Sequence, residues 1–276
     1  MSDYKSILVH ADSQAACGIR LQVAHRLAEQ FDAAVTAGYA ASPSAFEYPA
    51  GFSAGADVAA MMVQLDSDRR ARARSLFEHA QANGLPRLAW QDLPGEPVHA
   101  FGHAAMYADL AVVGQPDPRT KGTDVPADFI ESMAILSGAP VLIVPYIGAP
   151  ATIGRHVLLA WKESRESAHA LAAALPLLQA ADRVDVVLWD AIDASVAEEA
   201  PRIEARLRRH DVPVTVHRCG KESRDVGEQL LSMAAEFNAD LLVMGCYGHS
   251  RAREWVLGGA TRSVLRSMTL PVLMAH

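Results

Sequence analysis

The sequence predicts two tandem doubly wound α/β domains, each built on a five-stranded parallel sheet. At 276 residues the chain is about twice as long as a typical domain, so it has room for two cores. Short apolar runs alternate with longer stretches of helical period along the chain, as they do in βαβ units. The same blocks of sequence also occur twice, in the same order, which indicates a duplicated domain.

The internal repeat consists of three pairs of matching blocks. Two pairs are separated by 131 residues (239 − 108 = 131), and the pair nearest the N-terminus by 150 (157 − 7 = 150). The difference of 19 predicts an insertion of about that size in the first copy, between Ser42 and Asp68. A short linker around residues 148–154 then separates a domain at 1–148 from a domain at 153–276. The matching blocks are 7–11 with 157–161, 108–114 with 239–245, and 140–144 with 271–275.

Each copy contains five apolar runs that are typical of strands buried on both faces of a parallel sheet. In the first copy the strands are expected to start near Ser6, Ala33, Pro86, Leu110 and Val141. In the second copy the expected strands are 157–161, 184–189, 212–217, 241–245 and 272–275. Apolar residues at three- and four-residue spacing predict helices between these strands, at 165–180, 194–210 and 225–238.

Composition and charge exclude several classes of protein. Half of the residues are hydrophobic and 21% are charged, which is ordinary for a globular protein. The formal net charge of -7 argues against nucleic acid and anionic membrane as partners. No apolar run approaches the ~18 residues of a membrane span, and no secretory signal is recognisable. Three widely spaced cysteines (Cys17, Cys219 and Cys246) do not form a disulfide framework, so a cytoplasmic location is expected.

The segment with the strongest chemical signal follows the fourth strand of the second copy. Gly245 ends that strand, Gly248 follows after two residues, Gly258 follows after nine more, and Gly259 opens a helix. Glycine lets a ligand approach the main chain, and a helix N-terminus presents unpaired N–H groups. A strand, a glycine loop and a helix start therefore predict an anion site. The spacing is neither that of a Walker loop nor that of the dinucleotide fingerprint.

The pattern Gly-x2-Gly-x9-Gly after Ala-Asp-Leu-Leu-Val-Met-Gly, followed by Pro-Val-Leu, resembles the ATP-binding signature of the universal stress protein family. Because the similarity runs through both copies, the chain resembles a tandem member of that family. The resemblance implies the strand order 3-2-1-4-5, with ATP or AMP held between the ends of strands 1 and 4. It leaves open whether Mg²⁺ accompanies the nucleotide. The residues that it implies around the ribose and phosphates are Gly245, Gly248, His249, Gly258, Gly259, Ala260 and Thr261.

Two positions depart from the family pattern. The family usually has Ser or Thr after the last motif glycine, where this chain has Gly259, so a hydroxyl contact worth about 1 kcal/mol is missing. The family also has Asp at the end of its first strand, which the first copy keeps as Asp12 and the second copy replaces with Lys162. We expect Lys162 to favour phosphate binding and to weaken recognition of the sugar, which leaves the choice of nucleotide open.

The first copy lacks the glycine loop. Gly114 is followed by Gln-Pro-Asp-Pro, so the second and third glycines are missing, and Pro116 and Pro118 stiffen the chain. The sequence therefore predicts one nucleotide per chain, bound in the second domain.

Three other candidate sites have weaker signals. His99 and His103 have the spacing of a metal pair, but no third ligand is evident and the 131-residue offset aligns both with a packing face. Cys246 lies inside the glycine loop, where an exposed thiol would permit a redox role, although no resolving cysteine is near. Asp92 ends a strand like a phospho-accepting aspartate, but the lysine that such a receiver needs is missing.

The sequence leaves three functions open and favours the first. They are an ATP- or AMP-binding protein of the stress response with a regulatory nucleotide, an interaction module with a vestigial loop, and a slow ATPase or nucleotidyl transferase. No acid–base pair or catalytic motif is recognisable, so dedicated catalysis is not expected. Because the family commonly dimerises through its last strand, we expect 140–145 and 271–276 to meet as an internal pseudo-dimer. A homodimer of such chains is a further expectation.

Overall fold

The structure, a computed structural model, describes residues 3–44, 56–85, 87–120, 124–189, 199–220, 225–246 and 259–276. The chain divides into two compact units, one of Tyr4–Ala139 and the other mainly of Pro140–His276. Each unit contains α-helices packed on a β-sheet.

The unit Tyr4–Ala139 carries four parallel strands in the order β3-β2-β1-β4. The strands are β1 (Ser6–Ala11), β2 (Ala34–Tyr39), β3 (Leu88–Asp92) and β4 (Leu110–Gly114). Its helices within the described ranges are α1 (Cys17–Phe31), α2 (Ala56–Ala82), α3 (Pro97–Ala105) and α4 (Phe129–Leu136). The insertion expected between Ser42 and Asp68 overlaps the first half of α2, which is 27 residues long.

The unit Pro140–His276 contains the second copy, whose strands follow the order β8-β7-β6-β9-β10. The strands are β5 (Val141–Val144), β6 (His156–Ala160), β7 (Arg183–Trp189), β8 (Val214–Cys219), β9 (Leu241–Gly245) and β10 (Val272–Ala275). The helices here are α5 (Arg165–Ala180), α6 (Glu199–Arg208), α7 (Val226–Glu236) and α8 (Gly259–Ser267). All neighbours from β8 to β10 are parallel, which gives the order 3-2-1-4-5. β5 pairs antiparallel with β10, with Leu142 opposite Leu273.

The central strands are buried on both faces. Every residue of 110–113 in β4 and of 241–243 in β9 is fully shielded from solvent. Because successive side chains of a strand point to opposite faces, such a strand needs helices on both sides of the sheet. The prediction of tandem doubly wound parallel sheets is therefore confirmed.

Capping residues fix where the helices of the second copy begin. At the start of α5, the Ser164 hydroxyl accepts a hydrogen bond from the backbone N–H of Ser167 at 3.2 Å. At the start of α7, Asp225 accepts the N–H of Glu228 at 3.0 Å and the hydroxyl of Ser263 at 2.6 Å, so one carboxylate joins α7 to α8. In the part of the chain that the structure describes, no helix combines the length and apolar composition that crossing a membrane requires.

Candidate functional site

The crevice expected to hold a ligand lies where β6 and β9 end side by side in the second copy. The two strands are parallel neighbours, with Val157 opposite Leu241 and Ala160 opposite Met244. The connection after β6 leads through α5 to β7, and the connection after β9 leads through α8 to β10 on the other side. The chain therefore diverges at these two strand ends, which is where open α/β sheets usually bind ligands.

Gly245, the last residue of β9, permits a close approach of two main chains. A Cβ atom at this position would lie 2.6 Å from the carbonyl carbon of Glu166 and 2.6 Å from the amide nitrogen of Ser167. Both atoms belong to the first turn of α5, so no side chain fits between this turn and β9. Gly245 therefore has a packing role of its own, independent of any ligand.

The first three residues of α8 differ in their surroundings. A Cβ atom on Gly259 would meet no heavy atom of the described residues within 4 Å, so none of these residues requires a glycine here. The carbonyl oxygen of Ala260 faces Gly227 of α7, where a Cβ atom would come within 2.6 Å of it. Thr261 is only 3% exposed and anchors α8 in the core. Of the three, Gly259 is the residue open to a ligand.

The remaining predicted ligand residues of the glycine loop, Gly248, His249 and Gly258, lie outside the described residues. Lys162 is described, and it is exposed two residues beyond the end of β6. The residues on either side of it line a cavity of about 120 Å³ between the end of β6 and α6. The lining residues are Trp161, Glu163, Glu199, Arg202, Ile203 and Arg206.

Trp161 is a residue of this region that sequence reasoning missed. It matches Ala11 of the first copy, so an indole ring stands where the other copy has a methyl group. Two arginines, two glutamates and Ile203 line the same cavity with Trp161. The signal in the sequence was the replacement of a small residue by an aromatic one at a strand end.

Cys246 is buried, which overturns the possibility of an exposed thiol in the glycine loop. Its backbone N–H donates to the carbonyl of Ala275 at 3.1 Å, so the residue still runs alongside β10. Burial raises the pKa of the Cys246 thiol to about 12, so the reactive thiolate does not form near neutral pH. A redox role that needs an exposed thiol is therefore wrong for this residue.

His99 and His103 are exposed on α3, so the expectation that they lie on a packing face was wrong. The buried positions of α3 include Phe101, and those of α7 include Leu230. These two residues match at an offset of 129 (230 − 101 = 129), whereas the neighbouring strands match at 131. Relative to the strands, α3 is therefore shifted by two residues from the alignment of the repeat. Two residues turn a helix face by about 200°, which directs both histidines to solvent.

Asp92 is held by an arginine and does not stand free at its strand end. The Nε and Nη2 atoms of Arg70 donate to the two carboxylate oxygens at 2.9 and 2.7 Å. These hydrogen bonds hold the pKa of Asp92 below its usual range. The residue therefore ties α2 to β3.

The corresponding crevice of the first copy is filled by its own charged side chains. Asp12, directly after β1, forms a 2.7 Å ion pair with Nη2 of Arg20, and both side chains are buried. Burial by itself would lower the pKa of Arg20, but the Asp12 carboxylate outweighs that effect and raises it. The charged guanidinium lies directly against Gly114 at the end of β4, where any Cβ atom would collide with Nη1. The space between the two strand ends is therefore taken.

A second buried carboxylate, that of Asp124, closes the same crevice. It accepts the N–H of Ser13 at 2.6 Å and the hydroxyl of Ser13 at 2.9 Å. Its Oδ1 atom lies 3.5 Å from Nε of Arg69, a buried residue of α2. Buried charges are costly unless they are paired, and these contacts pair the buried carboxylate of Asp124.

Residues 154–276 match the family model described as "Universal stress protein family". Over 47 residues the chain is 49% identical to Universal stress protein Slr1230 of Synechocystis sp., a segment that spans 17% of this chain and 16% of that protein. The match covers less than a fifth of the relative, so it carries no statement about the activity of that whole protein.

Solved structures resemble the chain over almost its whole length. A universal stress protein from Archaeoglobus fulgidus DSM 4304 covers 99% of this chain with 96% of its own, at a TM-score of 0.72 and 15% identity. A protein of unknown function from Pseudomonas aeruginosa PAO1 covers 99% of this chain with 93% of its own, at a TM-score of 0.58 and 16% identity. At such low identities the likeness shows the fold alone.

The ion pair in the first crevice gives a prediction about stability. Asp12→Ala leaves the Arg20 guanidinium buried without its carboxylate, so we expect the unfolding free energy of the first copy to fall by about 3–5 kcal/mol. The double variant Asp12→Ala/Arg20→Met should recover a large part of this loss, because no buried charge remains. Urea unfolding of the full chain, with hydrogen exchange of peptides from β1 and β4, measures the change locally.

The exposed pair between Arg87 and Asp32 provides a matched control. It has the same 2.7 Å distance, but both side chains are more than half exposed. Arg87→Ala should therefore leave unfolding nearly unchanged. An Asp12→Ala variant as mild as Arg87→Ala would contradict the stabilising role of the filled crevice.

Proposed function

We propose that this chain, which belongs to the universal stress protein family, binds ATP or AMP in its second copy as a regulatory ligand in the stress response. The observation that carries the proposal is the divergence of the chain at the ends of β6 and β9, the second of which leads to α8. The residues proposed to form the site are Gly245, Gly259, Ala260, Thr261 and Lys162, together with Gly248, His249 and Gly258 of the glycine loop.

The start of α8 is suited to bind phosphate. The first N–H groups of a helix have no partner within that helix, and phosphate oxygens accept such donors. The open space at Gly259 supports a ligand at this end, because no described heavy atom covers the position of its Cβ. Since the Thr261 side chain is buried, we assign Thr261 to holding the helix in place. The N–H groups of Gly259 and Ala260 are then the donors to phosphate.

The filled crevice of the first copy supports one nucleotide per chain. A nucleotide between β1 and β4 would have to break the buried ion pair of Asp12 and Arg20 and displace the guanidinium from Gly114. Calorimetry should therefore return one site per chain. Two equivalent sites would contradict the assignment to the second copy.

Two alternative functions follow from the same loop. In the first alternative, the chain is an interaction module and the loop is vestigial. In the second, the chain is a slow ATPase or nucleotidyl transferase and the loop binds ATP for turnover. Mass spectrometry of nucleotide released from freshly purified protein separates ligand binding from the first alternative. Steady-state phosphate release that is lost in Gly258→Val would support the second. Mg²⁺ would accompany ATP more readily than AMP, since it bridges neighbouring phosphates.

We further propose that the domains 1–148 and 153–276 form an internal pseudo-dimer in the cytoplasm, joined through their last strands. The pairing of β5 with β10 supports this, with Ile143 opposite Val272 and Val141 opposite Met274. Separate domains would each leave the edge of an apolar strand uncovered, and exposed edges favour association. A homodimer of whole chains would use a further surface.

Nucleotide should raise the melting temperature of the wild-type chain, because a ligand that binds only the folded state stabilises it by mass action. Gly258→Val should abolish the shift by blocking the approach of a ligand to the main chain.

Gly259→Ser should instead enlarge the shift in melting temperature, since it supplies the hydroxyl that the family usually has. One added hydrogen bond of about 1 kcal/mol tightens binding about fivefold. Thermal melting with calorimetric titration of ATP and AMP tests both changes.

Gly220 provides the control for this pair of variants. It follows β8, and among the described residues a Cβ atom there would likewise meet nothing within 4 Å. Gly220→Val should keep the nucleotide-dependent shift. The proposal fails if neither nucleotide moves the wild-type melting temperature, or if Gly220→Val loses the shift as completely as Gly258→Val.

Lys162 should discriminate between nucleotides with different numbers of phosphates. Lys162→Ala should weaken ATP binding more than AMP binding if the ammonium reaches the distal phosphates, and the difference should shrink at high salt. Arg165→Ala is the matched control, because it removes an exposed positive charge only three residues away. Equal losses for both nucleotides in Lys162→Ala, or equal effects of the two variants, would assign Lys162 a general electrostatic role.

The pseudo-dimer predicts that the two halves associate. Separately produced chains of residues 1–148 and 153–276 should co-purify as a one-to-one complex, because β5 and β10 each supply an edge for the other. A first half that ends at residue 139 lacks β5 and should not bind. Size-exclusion chromatography with light scattering measures the complex. Full-length halves that stay monomeric and stable after mixing would argue against the pseudo-dimer.

A further inference from the structure

The outer face of α3 presents two histidines in a position suited to bind metal. His99 and His103 are four residues apart, both are exposed, and their ring centroids are 6.5 Å apart. Positions i and i+4 of a helix lie one above the other on the same face. Exposed side chains change rotamer within nanoseconds, so both rings can turn toward one point without cost to the core.

One chain offers only half of a metal coordination shell at this place. Imidazole nitrogen is a ligand for Zn²⁺, which prefers four donors in a tetrahedron at about 2.0–2.1 Å. Among the residues that the structure describes, no three His, Cys, Asp or Glu side chains lie close enough to hold a metal ion. The carboxylate of Glu96 already caps α3 by accepting the N–H groups of Val98 and His99. Two further donors are needed to complete the tetrahedron, and a second copy of the chain offers the same pair of histidines.

Apolar side chains lie beside the histidine pair. Tyr107 is 78% exposed, and its ring centroid lies 5.7 Å from that of His103. Met106 is 60% exposed at the end of α3, one turn after His103. These are among the most exposed large apolar residues of the described chain. Their exposure favours contact with another protein surface over contact with water.

We propose that Zn²⁺ joins two copies of this chain through His99 and His103 of each copy, with Met106 and Tyr107 packed beside the metal. A two-fold axis through the ion makes the interface self-complementary, as in most homodimers. Four imidazole nitrogens complete the tetrahedron. This site is independent of the nucleotide site, because it lies on a helix of the first copy.

Sedimentation velocity of the full chain tests the proposal. Addition of ZnSO₄ should double the mass that is measured in EDTA, with one Zn²⁺ bound per two chains. His99→Ala and His103→Ala should each abolish the doubling. Tyr107→Ser should keep the metal ligands but weaken the zinc-dependent association about tenfold, because it removes apolar area from the interface.

His79→Ala is the matched control, since His79 is an exposed helical histidine without a histidine one turn away. This variant should still double its mass with Zn²⁺. Three results would each overturn the proposal: a mass unaffected by Zn²⁺, one Zn²⁺ per chain without a change in mass, or an equal loss in His79→Ala. Nucleotide-dependent melting should be the same in all of these variants, which separates a failure here from a failure of the nucleotide site.

Discussion

Parallel strands buried on both faces are the constraint on which the rest of this structure depends. Parallel neighbours must be joined by crossover connections, and these have one handedness, so a change in the direction of strand order moves the helices to the other face. In each copy, the order 3-2-1-4 brings the first strand beside the fourth, with connections leaving in opposite directions. The ends of β1 and β4, and of β6 and β9, are therefore not covered by a crossover between them. Side chains or a ligand can therefore occupy each of these positions.

The two copies carry different residues at this position. In the first copy the occupant is covalently part of the chain, because Arg20 reaches from α1 to Asp12 and lies against Gly114. Asp124 and Arg69 close the same space with a second pair of buried charges. In the second copy the position of Asp12 is taken by an exposed lysine, and the neighbouring strand end leads into the glycine loop. The first copy thus lacks the glycine loop and fills its crevice with its own charged side chains.

The strands could be predicted from the sequence, because a strand that is buried on both faces is a continuous apolar run. The runs 241–245 and 272–275 coincide with β9 and β10. The resemblance to the universal stress protein family was confirmed as well. It could be predicted because it rested on a motif of fixed spacing. Apolar runs and motifs of fixed spacing can be recognised in the sequence without knowledge of tertiary contacts.

Features that depend on distant contacts could not be predicted in this way. Arginine on an amphipathic helix usually lies at the surface, and the burial of Arg20 depends on a glycine 94 residues later (114 − 20 = 94). The exposure of His99 depends on a two-residue shift of a helix between strands whose own spacing is conserved in the repeat. The sequence places Cys246 in a loop, yet its backbone hydrogen bond to Ala275 keeps it in the packed interior. In each case the deciding partner lies far away in the sequence.

A fixed occupant in one copy and an exchangeable one in the other give the two domains different thermodynamic behaviour. The Arg20–Asp12 pair contributes the same free energy at every ligand concentration, because its two charges are always present. A ligand of the second copy contributes RT ln(1 + [L]/Kd), which is about 2.7 kcal/mol at a hundredfold excess over Kd. Under the proposed function, nucleotide therefore stabilises the second copy directly, whereas the first copy responds only through the pairing of β5 with β10. Under the same proposal, a partner that senses the nucleotide would contact the second copy, where the ligand would lie at the ends of β6 and β9.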